Sequence, residues 1–149
     1  MARHNLRRAS GREIAAVAAV IQVCDACGVH HERNPPQCYC GGMAFTRFDS
    51  KGEATRWAQL LLLEKAGEIS ELRRQVTYNL HAPGQYYDGA IRQELVGKFI
   101  PDFVYTEKGG EVVVEDYKGG AITELAEWKL RHFKAQYGFD VRIVTAKML

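Results

Sequence analysis

From residue 45 onward, apolar and polar positions alternate with periods that change from segment to segment. Over "FDSKGEATRWAQLLLLEKAGEI", Trp57, Leu60, Leu61 and Glu64 fall at helical spacing, which leaves most of one side apolar and predicts a helix. Ser50 and Glu53 have capping-box spacing at its start, and Gly67 stops it after a Lys-Ala ending. "RQVTYNL" alternates as a strand does, with Val76, Tyr78 and Leu80 on one face. "HAPGQYYDGAIRQE" is polar and Gly-containing and reads as a loop of about fourteen residues, long enough to be functional or mobile. "GKFIPDFVY" and "EVVVEDYKG" are apolar runs that "EKGG" joins as a hairpin. "TELAEWKLRHFKAQYG" predicts a second helix, capped by Thr123, striped by Ala126, Leu130, Phe133 and Tyr137, and ended by Gly138. "DVRIVTA" is a final strand. The order helix, three strands, helix, strand makes the fold class α/β.

Ahead of this region, "IAAVAAVIQVC" is apolar on nearly every side. It is too short to span a bilayer, Glu13 abuts it, and no small-residue cleavage site follows. Ser10 and Glu13 form a capping box for a short helix from Glu13 to about Val23, whose apolar face must be covered by the main domain or by a second subunit. Arg3, Arg7, Arg8 and Arg12 all precede Glu13, the first acid, as a basic arm suited to phosphate contacts or to solvation. The 149 residues and net charge of +2 fit about one domain and name no partner by themselves. The expectation is a protein of a reducing cytoplasm, with no membrane segment.

All four cysteines lie in "CDACGVHHERNPPQCYC": Cys24, Cys27, Cys38 and Cys40. Two close pairs around a Pro-containing loop are what a tetrahedral zinc site needs, with Gly28 and Gly41 supplying the tight backbone after each knuckle. The Cys-x-Cys half is tighter than the usual spacing, and His30 or His31 could replace a cysteine. Disulfides or free thiols are the rival reading, and disulfides sit badly in a cytoplasm. A structural zinc is the expectation, in a segment, residues 1–44, preceding a core of residues 45–149.

The hairpin carries the candidate chemistry. Alternation puts Asp116 and Lys118 on one face of a strand and Glu115 and Tyr117 on the other. If Lys108-Gly109-Gly110 is a three-residue loop, with Gly110 in the left-handed conformation such loops require, Asp102 lies directly across from Asp116. Loops of two or four residues would instead set Asp102 against Glu115 or Tyr117. Two carboxylates about five ångströms apart repel each other. A hard divalent cation, Mg²⁺ or Mn²⁺, relieves that repulsion and can activate water against a phosphoryl group. Lys118 beside it can orient that water or neutralise charge developing on the phosphate. Pro101 has no ladder donor, so a bulge or an edge is expected there.

"PDFVY…VVVEDYKG" resembles the Pro-Asp…(Asp/Glu)-x-Lys motif of the PD-(D/E)XK nuclease superfamily, whose core has the helix, three strands, helix, strand order read here from about residue 50 to 146. "SKGEATRWAQLLLLEKAGEISELRRQV" is similar to a phage and prophage branch related to junction-resolving phage endonuclease I. The likeness covers about two thirds of the chain and leaves out the cysteines. It implies a metal-dependent endonuclease in which Asp102 and Asp116 are magnesium ligands, Lys118 is the catalytic lysine, and the Tyr117 backbone carbonyl is a further ligand. Glu53 matches the first-helix glutamate that completes the site, although its capping-box spacing gives it a competing role. Lys129, Arg73, Arg74 and Arg92, with Arg7 and Arg8 of the arm, are candidates for DNA phosphates. The implied substrate is DNA, including branched or Holliday-junction DNA, cut by a homodimer in a bacterial host or prophage-bearing cell. The competing class is a non-catalytic zinc-ribbon DNA-binding or scaffolding module with a degenerate nuclease core.

Overall fold

A computed structural model describes residues 20–33 and 35–149. The basic arm and residues 13–19 of the expected N-terminal helix lie outside the described residues. In chain order the elements are β1 (Ile21–Cys24), β2 (His30–His31), β3 (Phe45–Phe48), α1 (Lys51–Lys65), β4 (Ile69–Arg74), β5 (Tyr78–Gln85), β6 (Ile91–Phe99), β7 (Phe103–Glu107), β8 (Val112–Lys118), α2 (Glu124–Tyr137) and β9 (Val141–Thr145), followed by a 3₁₀ turn at Ala146–Met148. They form a mixed α/β fold with three sheets, ordered β2-β1-β3, β4-β7-β8-β9 and β5-β6.

The central sheet follows from its sequence alternation. On β7, Phe103 and Tyr105 face α1 and pack with Ala54, Trp57, Leu60, Leu61, Ile69 and Val113; Val104, one residue out of phase, faces α2 with Val114 and Phe133. Burying a side chain such as Phe103 or Phe133 stabilises the fold by about 1.5–3 kcal/mol. β8 pairs antiparallel with β7 and parallel with β9, and α2 supplies the crossover that a parallel neighbour requires. Both helices take the caps expected of them. Ser50 Oγ accepts from the Glu53 amide at 3.4 Å, and Thr123 Oγ1 accepts from the Ala126 amide at 3.2 Å. Gly138 ends α2 in the left-handed conformation.

The structure departs from the sequence reading in four places. Residues Ile21, Gln22 and Val23 are strand, not the end of a helix: β1 pairs with β3 and buries Val23 and Cys24 completely. The expected strand over 74–80 divides, because the chain turns at Gln75, whose φ is +49°. Its first part belongs to β4, which extends back to Ile69 and pairs with β7; its second part opens β5. The supposed long loop is a hairpin, β5 against β6, closed by a turn at 86–90 in which the Tyr86 amide donates to the Ala90 carbonyl at 2.9 Å. Finally, "GKFIPDFVY" is two strands. Pro101 interrupts the ladder, so β6 ends at Phe99 and β7 begins at Phe103, and Asp102 sits in the bend between them.

The small β2-β1-β3 sheet shares the α1 core: Val23 and Phe48 pack into the same cluster as Ala54, Trp57 and Leu60. Beneath α1, the fully buried Glu115 carboxylate is held by Arg56 (Nε at 2.6 Å, Nη2 at 2.8 Å) and by the Tyr105 hydroxyl at 2.8 Å. This buried pair fixes β8 against α1, and removing one partner would leave an uncompensated charge in the core.

Candidate active site and metal centre

The turn between β7 and β8 decides which side chains meet. Gly110 adopts φ +87° and donates to the Glu107 carbonyl at 2.8 Å, while the Glu107 amide donates to the Glu111 carbonyl at 2.8 Å. The strands therefore pair Phe103 with Glu115, Val104 with Val114 and Tyr105 with Val113. Carried one residue further, that register sets Asp102 opposite Asp116, as the three-residue loop requires. The Asp102 carboxylate accepts a hydrogen bond from the Tyr117 amide at 2.7 Å, which ties the bend to the end of β8.

Four of the sequence candidates converge here. Asp116 is buried, and Lys118, two residues on and on the same face, sets its ammonium 2.5 Å from Asp116 Oδ2. That contact is an ion pair without hydrogen-bond geometry, since Oδ2 is buried and has no hydrogen-bond partner among the described residues. Burial, first, and then the charges of Asp116 and Glu53 push the Asp102 carboxyl up to about 7, against the opposing pull of the Tyr117 amide and Lys118. Glu53 is raised as well, by burial and by Asp116 and Asp49, with Arg74 and Lys118 opposing. Its carboxylate does not complete the capping box: within the described residues it makes no hydrogen bond, and Ser50 caps the helix without it. Gly52 explains how α1 comes so near, because the Tyr117 ring occupies the space where a Cβ would stand, with ring atoms at 2.0–2.4 Å from that point.

A cavity of about 300 Å³ adjoins Asp116 and Lys118. Lys98 of β6 and Lys129 of α2 line it, together with Ile100, Leu125, Leu130 and the first turn of α2. Of the other candidate phosphate ligands, Arg73 is exposed. Arg74 lies with its guanidinium carbon 4.0 Å over the Phe48 ring and 5.7 Å from that of Trp57, between the small sheet and the carboxylates. Arg92 pairs with Asp88 at 3.0 Å in the β5–β6 hairpin. Arg7 and Arg8 lie outside the described residues.

The cysteines form a second centre. Cys24 and Cys40 bring their sulfurs to 3.7 Å, Cys27 and Cys38 to 3.6 Å, and all four sulfurs lie within 4.8 Å of one another. Metal–sulfur bonds of about 2.3 Å in a tetrahedron put sulfurs about 3.8 Å apart, so the four side chains can hold one metal ion such as zinc. They are free thiols, which sets aside disulfide pairing. Gly28 (φ +75°) and Gly41 (φ +88°) shape the two knuckles, and Gly42 is packed so closely that a Cβ there would stand 2.8 Å from Cys24 Sγ. The Val29 amide favours the Cys27 thiolate, but burial and the three neighbouring sulfurs outweigh it and push that thiol up to about 12. A divalent cation removes that crowding. Among the described residues this is the set of donors that converges closely enough for a single ion; Asp116 raises both Asp102 and Glu53, but the three acids are not gathered to that distance.

Two features escaped the sequence reading. Lys98 stands in a segment that seemed to continue straight into Pro101, and only the break at 100–102 turns it toward the cavity. Arg56 and Glu115 carry a local signal, an acid in the middle of a valine-rich strand, but their pairing spans 59 residues and depends on the fold.

Fold and centres together define a mixed α/β protein with four cysteines placed so that they could hold a metal ion and an acidic cluster at one end of its central sheet. The chain belongs to the family described as proteins of unknown function DUF1064, which matches residues 42–148. No curated protein and no solved structure matches it. Among the described residues, no helix is long and apolar enough to cross a membrane.

Proposed function

We propose that the protein is a Mg²⁺-dependent endodeoxyribonuclease with a PD-(D/E)XK core, a hydrolase acting on phosphodiester bonds. The observation that carries this reading is the β7–β8 register, which carried one residue past Phe103–Glu115 brings Asp102 to Asp116, with Lys118 beside them and Glu53 in electrostatic reach. The order α1, β4, β7, β8, α2, β9, with the β5–β6 hairpin inserted, supports the same core.

Whether the residues suit a magnesium ion can be judged from their own discomfort. Burial and its acidic neighbours push the Asp102 carboxyl up to about 7, and Asp116 Oδ2 is buried with the Lys118 ammonium in ion-pair contact as its one nearby cation among the described residues. Both features are relieved by a hard cation, so the residues fit. Asp102, Asp116 and Glu53 would hold it, with the Tyr117 carbonyl as a further ligand. When bound, the ion supplies Lewis-acid polarisation of the phosphoryl oxygen and a more acidic water. The chain's own contribution centres on Lys118, which is held beside Asp116 where it can position a water and offset negative charge developing on the phosphate. Arg56 and Glu115 act from the opposite face, locking the strand from which Asp116 and Lys118 project.

DNA is the proposed substrate, with branched and junction DNA as the favoured form. A homodimer joined through the N-terminal segment would supply two active sites for two strands; light scattering on the full chain tests it, and a monomer with and without DNA overturns it. A second reading, a non-catalytic zinc-ribbon DNA-binding module, is favoured by the convergence of the cysteines alone, while the complete Asp102, Asp116 and Lys118 set weighs against it. A panel of linear, nicked, flap and four-way-junction DNA, incubated with and without Mg²⁺, separates the two. Metal-dependent cleavage of any member is expected, and binding without cleavage across the panel would select the module.

A further inference from the structure

We infer that the cavity beside Asp116 and Lys118 receives one unstacked nucleotide of the substrate strand, so that the preferred DNA is single-stranded or frayed next to the cut. This rests on the nuclease reading above for the identity of the polymer, but the cavity's chemistry is argued independently. Its volume of about 300 Å³ lies at the small end of the ligand-site range, about 300–1,000 Å³. That is room inside it for about one nucleotide. Lys98 and Lys129 line it from different elements, and neither has an ion-pair partner among the described residues. Three lysines therefore face a space whose one acid, Asp116, is already matched by Lys118.

Apart from Thr123, the remaining lining is apolar. Ile100, which is 50% exposed, and Leu125, 64% exposed, present hydrocarbon to the cavity beside its lysines. The fourteen-residue helix α2 begins at the same wall with Thr123 as its cap, adding the positive end of its dipole. Cations for a phosphate and hydrocarbon for a sugar and base are the two halves of a nucleotide site. Metal alone would need neither Lys98 nor Leu125. Filling the cavity requires a nucleotide to leave its stack, which costs a few kcal/mol in a duplex and least where the base is already unpaired. Selectivity for unpaired DNA follows from that difference, without contacts to base edges.

The test uses the full chain, zinc-loaded, in magnesium-free buffer, so that binding is read apart from cleavage. The probe is a short fluorescent 5′-phosphorylated oligodeoxynucleotide, single-stranded or annealed to its complement, followed by anisotropy across a salt series. The single strand should bind about tenfold more tightly than the duplex. Lys98→Ala and Lys129→Ala should each weaken single-strand binding several-fold and reduce its log–log salt slope by about 0.7, the value for one lost phosphate contact on a single strand. Both side chains reach solvent, so thermal melting should match the wild type and exclude misfolding. Equal affinity for strand and duplex, or variants with unchanged affinity and slope, would overturn the inference. If these binding results hold while the wild type never cleaves DNA with Mg²⁺, the nucleotide site stands and the nuclease reading falls. If the wild type cleaves but the lysine variants bind normally, the nucleotide site alone falls.

Discussion

The cysteine centre and the carboxylate centre are both clusters of like-charged or potentially charged donors, yet the fold treats them in opposite ways. Four sulfurs are gathered to tetrahedral separations by two glycine-shaped knuckles, and the sheet that bears them is packed into the α1 core through Val23 and Phe48. Glu53, Asp102 and Asp116 come instead from a helix, a strand break and a strand end; the charge of Asp116 reaches the other two, but the three do not close on a point. A set of donors that is already converged suits a permanent structural ion; an open and strained set suits an ion shared with a substrate. The difference teaches that the two metals proposed here have separable roles, and the roles can be tested one at a time.

The largest effect is expected at the cysteines. Cys24→Ser, or extraction of the metal by a chelator, should remove about one zinc per chain and lower stability by several kcal/mol, because in small domains the free energy of binding structural zinc is folding free energy. Hydrogen exchange should show lost protection in β1 and β3 first and then at Trp57 in α1, which packs on Phe48. Elemental analysis showing no zinc in the native protein would dissolve the comparison. Next in size is Lys118→Ala, which should reduce the cleavage rate by about 10²–10³-fold, the cost of losing one electrostatic contact to the transition state. Mg²⁺ binding, followed by calorimetry, should change little. An unchanged rate would remove Lys118 from the chemistry.

How far the sequence reached can be judged at Gly110. Gly110 favours a three-residue loop, and that loop length sets the register of β7 on β8 and so brings Asp102 to Asp116, because hairpin register is a local property of the turn. Ser50, Thr123 and Gly138 were legible for the same reason: caps act within four residues. What failed was tertiary. Ile21–Val23 has the composition of a helix continuation but is drawn into a strand by pairing with 45–48. β4 was obscured because its ladder shifts between Ser70 and Arg73, around Glu71 at φ +55°, which breaks the alternation. The β5–β6 hairpin was hidden by polarity, since Gln85, Arg92, Gln93 and Glu94 are exposed and the apolar stripe of Tyr78 and Leu80 does not continue past Leu80. At the site, the acids and Lys118 were visible as a motif, whereas Lys98 was not, because nothing local in the sequence announces the turn that brings it to the cavity.

The smallest expected effect sharpens the contrast most cleanly. Asp102 is shifted from its ordinary 3.8 to about 7, so between those values the folded protein retains a proton that the unfolded chain has released. Stability of the magnesium-free protein therefore falls as pH rises through that window. Asp102→Asn should flatten this slope and hold or raise the melting temperature near neutral pH, the reverse of the cysteine variant. Added Mg²⁺ should recover the loss in the wild type and not in the variant. A melting temperature that rises between pH 4 and pH 7 in wild type alone would contradict the assigned strain.

A hydrolytic magnesium centre is proposed for the acidic cluster. Nicking of supercoiled plasmid by the zinc-loaded wild type and by Asp116→Asn, at matched thermal stability and matched DNA binding, tests it most directly. The wild type should nick in a Mg²⁺-dependent way, and the variant, which lacks one of the two opposed carboxylates, should lose about a thousandfold or more. Equal nicking by the two proteins, or none by the wild type at any Mg²⁺ concentration, would contradict it.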